Sequence, residues 1–222
     1  FWAEQKLHPR AHLSSVPLAE ELTGTARLSL PPVAPASPIV LCVSSLEPRK
    51  NHRGLLKALA ALASEQRWPH ELQLVLVGWP KDARVGEQVR RAIELNLPLH
   101  WEADADDRRL LELYQQSIAC VYPSLEEGFG LPVAESLWHR RPCLCSNQGA
   151  LAELAQGGGC LTVNTQCWTE LKEGLFSLTT NSAIRSRLFK EIKTRKSRTW
   201  HQVAEGWLKT LAIQNKTQLK SI

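Results

Sequence analysis

The chain has 222 residues, 43% hydrophobic and 22% charged, with a formal net charge of +5. That is enough for one large domain or two small ones around a substantial core, and it excludes a mainly disordered chain. No run of about 18 apolar residues suggests a membrane-spanning helix, and no charged-then-apolar N-terminal stretch reads as a signal peptide. Methionine is absent, even at position 1, so a fragment that follows another domain is expected.

Residues 1–37 carry Pro9, Pro17, Pro31, Pro32 and Pro35 and little periodicity. They read as the end of a preceding domain and a linker. A rhythm begins at Ile39–Val43, a near-continuous apolar run of the kind that forms a strand buried on both faces. Asn51 is placed to cap a helix with apolar positions Leu55, Leu56, Leu59, Leu62 and Ala63. A second strand, Leu72–Val77, stops at Gly78, and a helical stretch follows over Val85–Leu95. Leu97–Trp101 reads as a third strand. Asp106 or Asp107 then caps a helix carrying Leu110, Leu111, Leu113 and Tyr114. Ile118–Tyr122 is the fourth strand, a helix opens at Pro132, and Cys143–Cys145 and Cys160–Val163 are the fifth and sixth strands. Helices are expected at about 170–180, 183–195 and 199–214.

Apolar strands alternating with helices predict a parallel sheet covered on both faces, an α/β doubly wound, Rossmann-like domain over residues 38–166. Residues 167–222 are expected to complete it with helices. The six cysteines, Cys42, Cys120, Cys143, Cys145, Cys160 and Cys167, form no C-x-x-C pair and match no zinc spacing. They read as mostly buried small hydrophobes in a reducing, cytoplasmic compartment, without disulfides. The densest basic stretch, Lys190–Arg198, reads as a solvated helix face, so no nucleic-acid partner is expected.

Ligands of an open parallel sheet bind at the C-terminal ends of its strands. The loop after the first strand, Ser44–Asn51, sets Arg49 and Lys50 just before a helix N-terminus, a plausible anion site. The loop after the fourth strand runs Pro-Ser-Leu-Glu-Glu-Gly-Phe-Gly-Leu-Pro-Val-Ala-Glu (123–135). Gly128 and Gly130 permit a tight path, and Pro132 suits the first helical position. Free N–H groups near Gly130 and Leu131 can then face an anion or sugar hydroxyls, with Glu127 in the loop and Glu135 about one turn into the helix. The Gly-x-Gly-x-x-Val inside this segment lacks the third glycine of a dinucleotide fingerprint and an acidic residue about 20 positions on.

Glu127 and Glu135, with Gly-Phe-Gly-Leu-Pro between them, resemble the signature of the family-4 (group 1) retaining glycosyltransferases of GT-B architecture. Glu-Pro-Arg-Lys-Asn (47–51) resembles that family's phosphate loop, and Val121–Pro132 is similar to the family pattern almost letter by letter. The likeness covers about residues 38–212. It implies the C-terminal, donor-binding half of a GT-B enzyme, a hexosyltransferase that is inactive as an isolated fragment. In it Glu127 contacts the donor sugar and Glu135 the ribose hydroxyls. Backbone N–H groups of Phe129, Gly130 and Leu131 hold sugar and diphosphate, Lys50 and Arg49 face the diphosphate, and the backbone at Ala105 meets the base. Many members carry an arginine where this chain has Ser45. The expected donor is UDP- or GDP-linked, GDP-mannose-like, because the 47–51 loop resembles that of mannosyl- and related transferases of bacterial surface polysaccharides. The implied acceptor is a glycan or a lipid-linked sugar held by the preceding domain, at the cytoplasmic face of a membrane touched peripherally. Neither a metal nor a cofactor is implied: cations and helix N–H groups can stabilise a leaving diphosphate. Two carboxylates also suggest a glycosidase pair, but their places on loop and helix favour ligand positioning. A non-catalytic nucleotide-binding module on the same fold is the alternative.

Other candidates read as structural. Asp104-Ala105-Asp106 precedes a helix and is expected to cap it rather than hold a metal. His52 is expected outside the cleft, and His139 is expected to cap a helix C-terminus. Trp79 and Trp101 are expected to pack, and Gly157–Gly159 to form a turn.

Overall fold

A computed structural model describes residues 18–21, 27–28 and 37–219, with side chains to residue 211. The expectation for residues 1–37 therefore lies almost wholly outside the described residues.

Six short strands make one parallel sheet: β1 (Ile39–Val43), β2 (Gln73–Val77), β3 (Leu99–Glu102), β4 (Ser117–Tyr122), β5 (Cys143–Ser146) and β6 (Cys160–Val163), in the order β3-β2-β1-β4-β5-β6. The side-chain period of two sends Val40 and Cys42 of β1 into one core and Ile39 and Leu41 into the other, so a central strand is apolar on both faces, while the edge strands β3 and β6 carry His100, Glu102 and Thr162. The first core takes Leu55 and Leu59 of α1 (His52–Ser64), Val85 and Val89 of α2 (Ala83–Glu94), and Leu171 and Leu175 of α6 (Trp168–Thr180). The second takes Leu113 and Tyr114 of α3 (Asp107–Gln116), Val133 and Leu137 of α4 (Leu131–Trp138), and Leu151 of α5 (Gly149–Ala155). One helix serves both: α7 (Ser182–Thr194) gives Leu188 to the first core and Ile192 to the second. The sheet is doubly wound, as the alternation of strand and helix predicts.

Capping chemistry sets the helix starts. Asn51 accepts from the Gly54 N–H, and Asp106 from the Arg109 N–H at 2.7 Å. Asp82 and Asn181 do the same for α2 and α7. The Asp-x-Asp carboxylate at Asp106 is thus used as a cap. At α4 the helix opens at Leu131, one residue before the expected Pro132, because Gly130 takes the cap position with φ +91°. α5 is an element the sequence reading did not anticipate; its first residue is Gly149 and no side chain caps it.

Residue 198 onward belongs to a second compact unit. There α8 (Trp200–Leu219) opens with a capping box: Thr199 Oγ1 accepts from the Gln202 N–H, and Gln202 accepts from the Thr199 N–H. Within the main unit, Glu20 is tied to Arg195 by a buried ion pair of 3.1 Å. Arg195 also donates to the carbonyls of Leu154 and Gly158, on the turn formed by Gly157–Gly159. No described helix is long and apolar enough to cross a membrane.

Candidate functional site

The strand order reverses between β1 and β4, so the loops that follow these two strands flank a topological switch point, where open α/β sheets bind ligands. The two loops are joined: the Leu125 N–H donates to the Arg49 carbonyl at 2.8 Å, and Ser124 Oγ donates to the same oxygen.

After β1 the chain makes a 3₁₀ turn, Pro48–Lys50, and then passes through Asn51 in the left-handed region at φ +56°. That residue does two jobs. Its Oδ1 caps α1, and its Nδ2 donates to the Thr165 carbonyl at 2.8 Å, fastening the loop after β6 to the turn. The turn delivers Lys50 inward, only 7% exposed, and leaves Arg49 outside. A buried ammonium needs partners. Lys50 Nζ finds them in Glu127 Oε1 and Tyr122 Oη.

Glu127 is the hub. Its Oε1 accepts from Lys50, from Arg49 at 3.2 Å, from Ser124 at 2.7 Å and from Tyr122 at 2.8 Å. Burial opposes ionisation, but Lys50, Ser124 and Tyr122 outweigh it and hold the carboxyl below the usual glutamate range. Arg49 bridges outward to Glu47 at 2.9 Å, and Glu47 takes a further bond from Ser45. So Ser45 orients a carboxylate here.

Glu135 is differently placed. It lies four residues past the start of α4, and its carboxylate has no hydrogen-bond or ion-pair partner among the described residues. Burial, and then the charge of Asp107 at the start of α3, raise its pKa. The N-terminus of α4 has no side-chain cap; Pro132 has no N–H and Val133 and Ala134 donate to the Gly130 carbonyl, which leaves the Leu131 N–H to other acceptors. A Cβ at Gly130 would stand 2.3 Å from Leu151, so only glycine fits there; at Gly128 nothing lies within 4 Å, and the expected tight path requires glycine only at the second of the two positions. Phe129 is half-buried and Leu131 exposed beside Gly130. Ala105 packs its methyl on the second core just ahead of α3.

The histidines stand apart. His52 is buried, with Nε2 3.1 Å from Ser44 Oγ and Nδ1 without a hydrogen-bond partner among the described residues. Burial and Lys50 lower its pKa to about 4. His139 does follow the last turn of α4, but it does not cap it as a cation. Its ring is wholly buried, stacked 4.6 Å from Tyr114, with both nitrogens unpartnered, and burial and Arg141 lower its pKa to about 4. Trp101 packs on the first core and donates to the Gly78 carbonyl; Trp79, expected to pack, is instead 65% exposed. All six cysteines are free, and burial pushes the Cys42 and Cys120 thiols up to about 12. Among the described residues no three His, Cys, Asp or Glu side chains are grouped to hold a metal ion. A cavity of about 400 Å³ beside Glu47, Asp82 and Arg84 is lined by none of the predicted site residues.

The structure therefore brings Arg49, Lys50 and Glu127 together and sets Glu135 on the adjoining helix. Sequence reasoning missed Tyr122 and Ser124 as members of the cluster. Their signal was present in Val-Tyr-Pro-Ser, but an apolar strand end gives no hint of which way a hydroxyl points.

The family profile described as "Glycosyl transferases group 1" matches residues 32–195. Among curated proteins, "Serotype-specific mannosyltransferase WbdA" of Escherichia coli is 34% identical over 124 residues, 54% of this chain and 15% of that protein. "O-antigen chain mannosyltransferase B" of Escherichia coli is 36% identical over 120 residues, 54% of this chain and 31% of its own length. "O-antigen chain mannosyltransferase RfbU" of Salmonella typhimurium is 26% identical over 119 residues, 53% of this chain and 32% of that one. The matched stretch is thus less than a third of these relatives. With the profile covering most of its length and the motif residues gathered at the switch point, this chain belongs to the group 1 glycosyl transferases.

Proposed function

We propose that this chain is the donor-binding half of a retaining hexosyltransferase, one that moves a sugar from a nucleoside-diphosphate sugar to a glycan or lipid-linked acceptor. The observation that carries the reading is the cation pair Lys50 and Arg49, held by Glu127 at the switch point beside an uncapped helix N-terminus. Breaking the bond between sugar and diphosphate builds negative charge on the leaving phosphates. Fixed cations and helix N–H groups stabilise that charge without reorganising, which lets the reaction run without a metal. Glu127, ionised and next to the cations, is suited to orient sugar hydroxyls and to offset positive charge on an oxocarbenium-like carbon. The unpaired carboxylate of Glu135 is suited to accept from two vicinal hydroxyls of a ribose. The curated relatives are named as mannosyltransferases, two of them of O-antigen chains, which supports a mannosyl donor; we take the donor to be GDP-mannose and the place of work the cytoplasmic face of a membrane.

Glu135 offers the cleanest test. Because its carboxylate has no partner among the described residues, Glu135→Ala is expected to leave folding intact while weakening binding of GDP about tenfold, the scale of hydrogen bonds to a charged group. Calorimetry on the chain reads this; equal affinity in wild type and variant would sink the ribose role.

A further inference from the structure

Glu127 Oε1 accepts from four donors, Lys50, Arg49, Ser124 and Tyr122, while Oε2 accepts from none among the described residues. A carboxylate oxygen has about two lone-pair sites, so this arrangement is crowded by design of the cations rather than by need of the carboxylate. Glu127 thus sits where an anion would meet both cations. A diphosphate that arrives takes Lys50 and Arg49 for itself. Glu127 is then left in a partly buried position, its side chain 10% exposed, and must keep a donor or lose its charge.

Two hydroxyls remain, and they differ. Ser124 Oγ also lies within hydrogen-bond distance of the Arg49 and Glu126 carbonyls, at 3.1 and 3.2 Å, and its single proton can serve only one of three acceptors at a time. Tyr122 Oη has one acceptor, Glu127, and one donor to it, Lys50. Its ring is fixed in the second core, 2% exposed, with the Lys50 ammonium 5.0 Å from the ring centroid.

We propose that Tyr122 is a positioning residue of the donor site: its hydroxyl, set between Lys50 Nζ and Glu127 Oε1, keeps the Glu127 carboxylate placed and ionised when a diphosphate draws the two cations away. The proposal rests on the donor-site reading above. The groups that face Glu127 are Lys50 and Arg49 from the loop after β1, with Glu47 behind Arg49, and Tyr122 and Ser124 from β4 and its loop. Cys42 approaches Tyr122 from β1. Burial, and then the hydrogen bond to Glu127 and its charge, raise the Tyr122 pKa, so the phenol keeps its proton around neutral pH.

Tyr122→Phe keeps the ring and its contact with Lys50 and removes only the hydroxyl. Two readouts separate positioning from a structural role. In the ligand-free chain, carboxyl NMR, with the Glu127 resonance identified by its loss in Glu127→Gln, should show Glu127 titrating at higher pH in Tyr122→Phe than in wild type. In calorimetry of GDP and of inorganic pyrophosphate near pH 5, in buffers of different ionisation enthalpy, the variant should bind about threefold or more weakly and take up more protons per ligand than wild type. Thermal unfolding checks that the variant folds. A wild type that binds both ligands, with Glu127 titration and proton uptake unchanged in Tyr122→Phe, overturns this proposal alone. A folded wild type that binds neither ligand overturns the donor-site reading and this proposal with it.

Discussion

At His139 burial decides the chemistry. The position at the end of α4 invites a cationic cap, yet the ring is sealed against Tyr114 beside Arg141 and its pKa falls to about 4. The unfolded chain titrates near 6.5, so above that pH both states hold the ring neutral. Below it the unfolded state takes up a proton that the folded state refuses until about pH 4. Stability is therefore lost as pH falls through this window, by about 3 kcal/mol, and His52 adds a similar loss for the same reason. His139→Phe keeps a ring against Tyr114 and removes two polar atoms that have no partner. Urea unfolding should show the variant losing visibly less stability than wild type between pH 6.5 and 4; an equal loss would show that His139 is not buried neutral. Legibility at this scale followed chain proximity. Lys50, Arg49 and Glu127 were readable because motif and loop position agree. Arg141, which is fully buried and bonded to the carbonyls of Tyr114, Gln115, His139 and Arg140, was not, because two of its partners come from α3 and no local pattern marks them.

Among the elements, the loop after β4 and α4 show what a glycine is for. Gly130 combines φ +91° with a Leu151 methyl where a Cβ would go, while Gly128 faces open space. Gly130→Ala should cost about 1–3 kcal/mol, and Gly128→Ala less than about 1 kcal/mol, by chemical denaturation. Equal effects would mean that the left-handed turn is not what starts α4. The same contact explains why α5 went unread. Leu151, which wedges against Gly130, lies in a seven-residue helix with no cap signal, and it is held by packing on the second core rather than by its own sequence. The strands and the long helices were legible because a doubly wound sheet makes its central strands apolar on both faces and gives its covering helices one apolar face.

For the molecule as a whole, the parallel, doubly wound sheet follows from that alternation, whereas its strand order and the ties between distant segments do not. Glu20 and Arg195 are 175 residues apart and both nearly sealed from solvent. Removing one member strands the other, so Arg195→Ala should destabilise the chain by about 3–5 kcal/mol in thermal or urea unfolding, a loss that a surface pair would not give. The net charge of +5, spread along the chain, has a local use at Lys50 and Arg49, where the sheet reverses. The central claim is that this point receives a nucleoside-diphosphate sugar. Calorimetric titration of the folded chain with GDP-mannose, beside UDP- and ADP-linked sugars, tests it most directly. Saturable one-to-one binding, strongest for GDP-mannose, is the predicted result, and absence of binding by every nucleotide sugar would contradict the account.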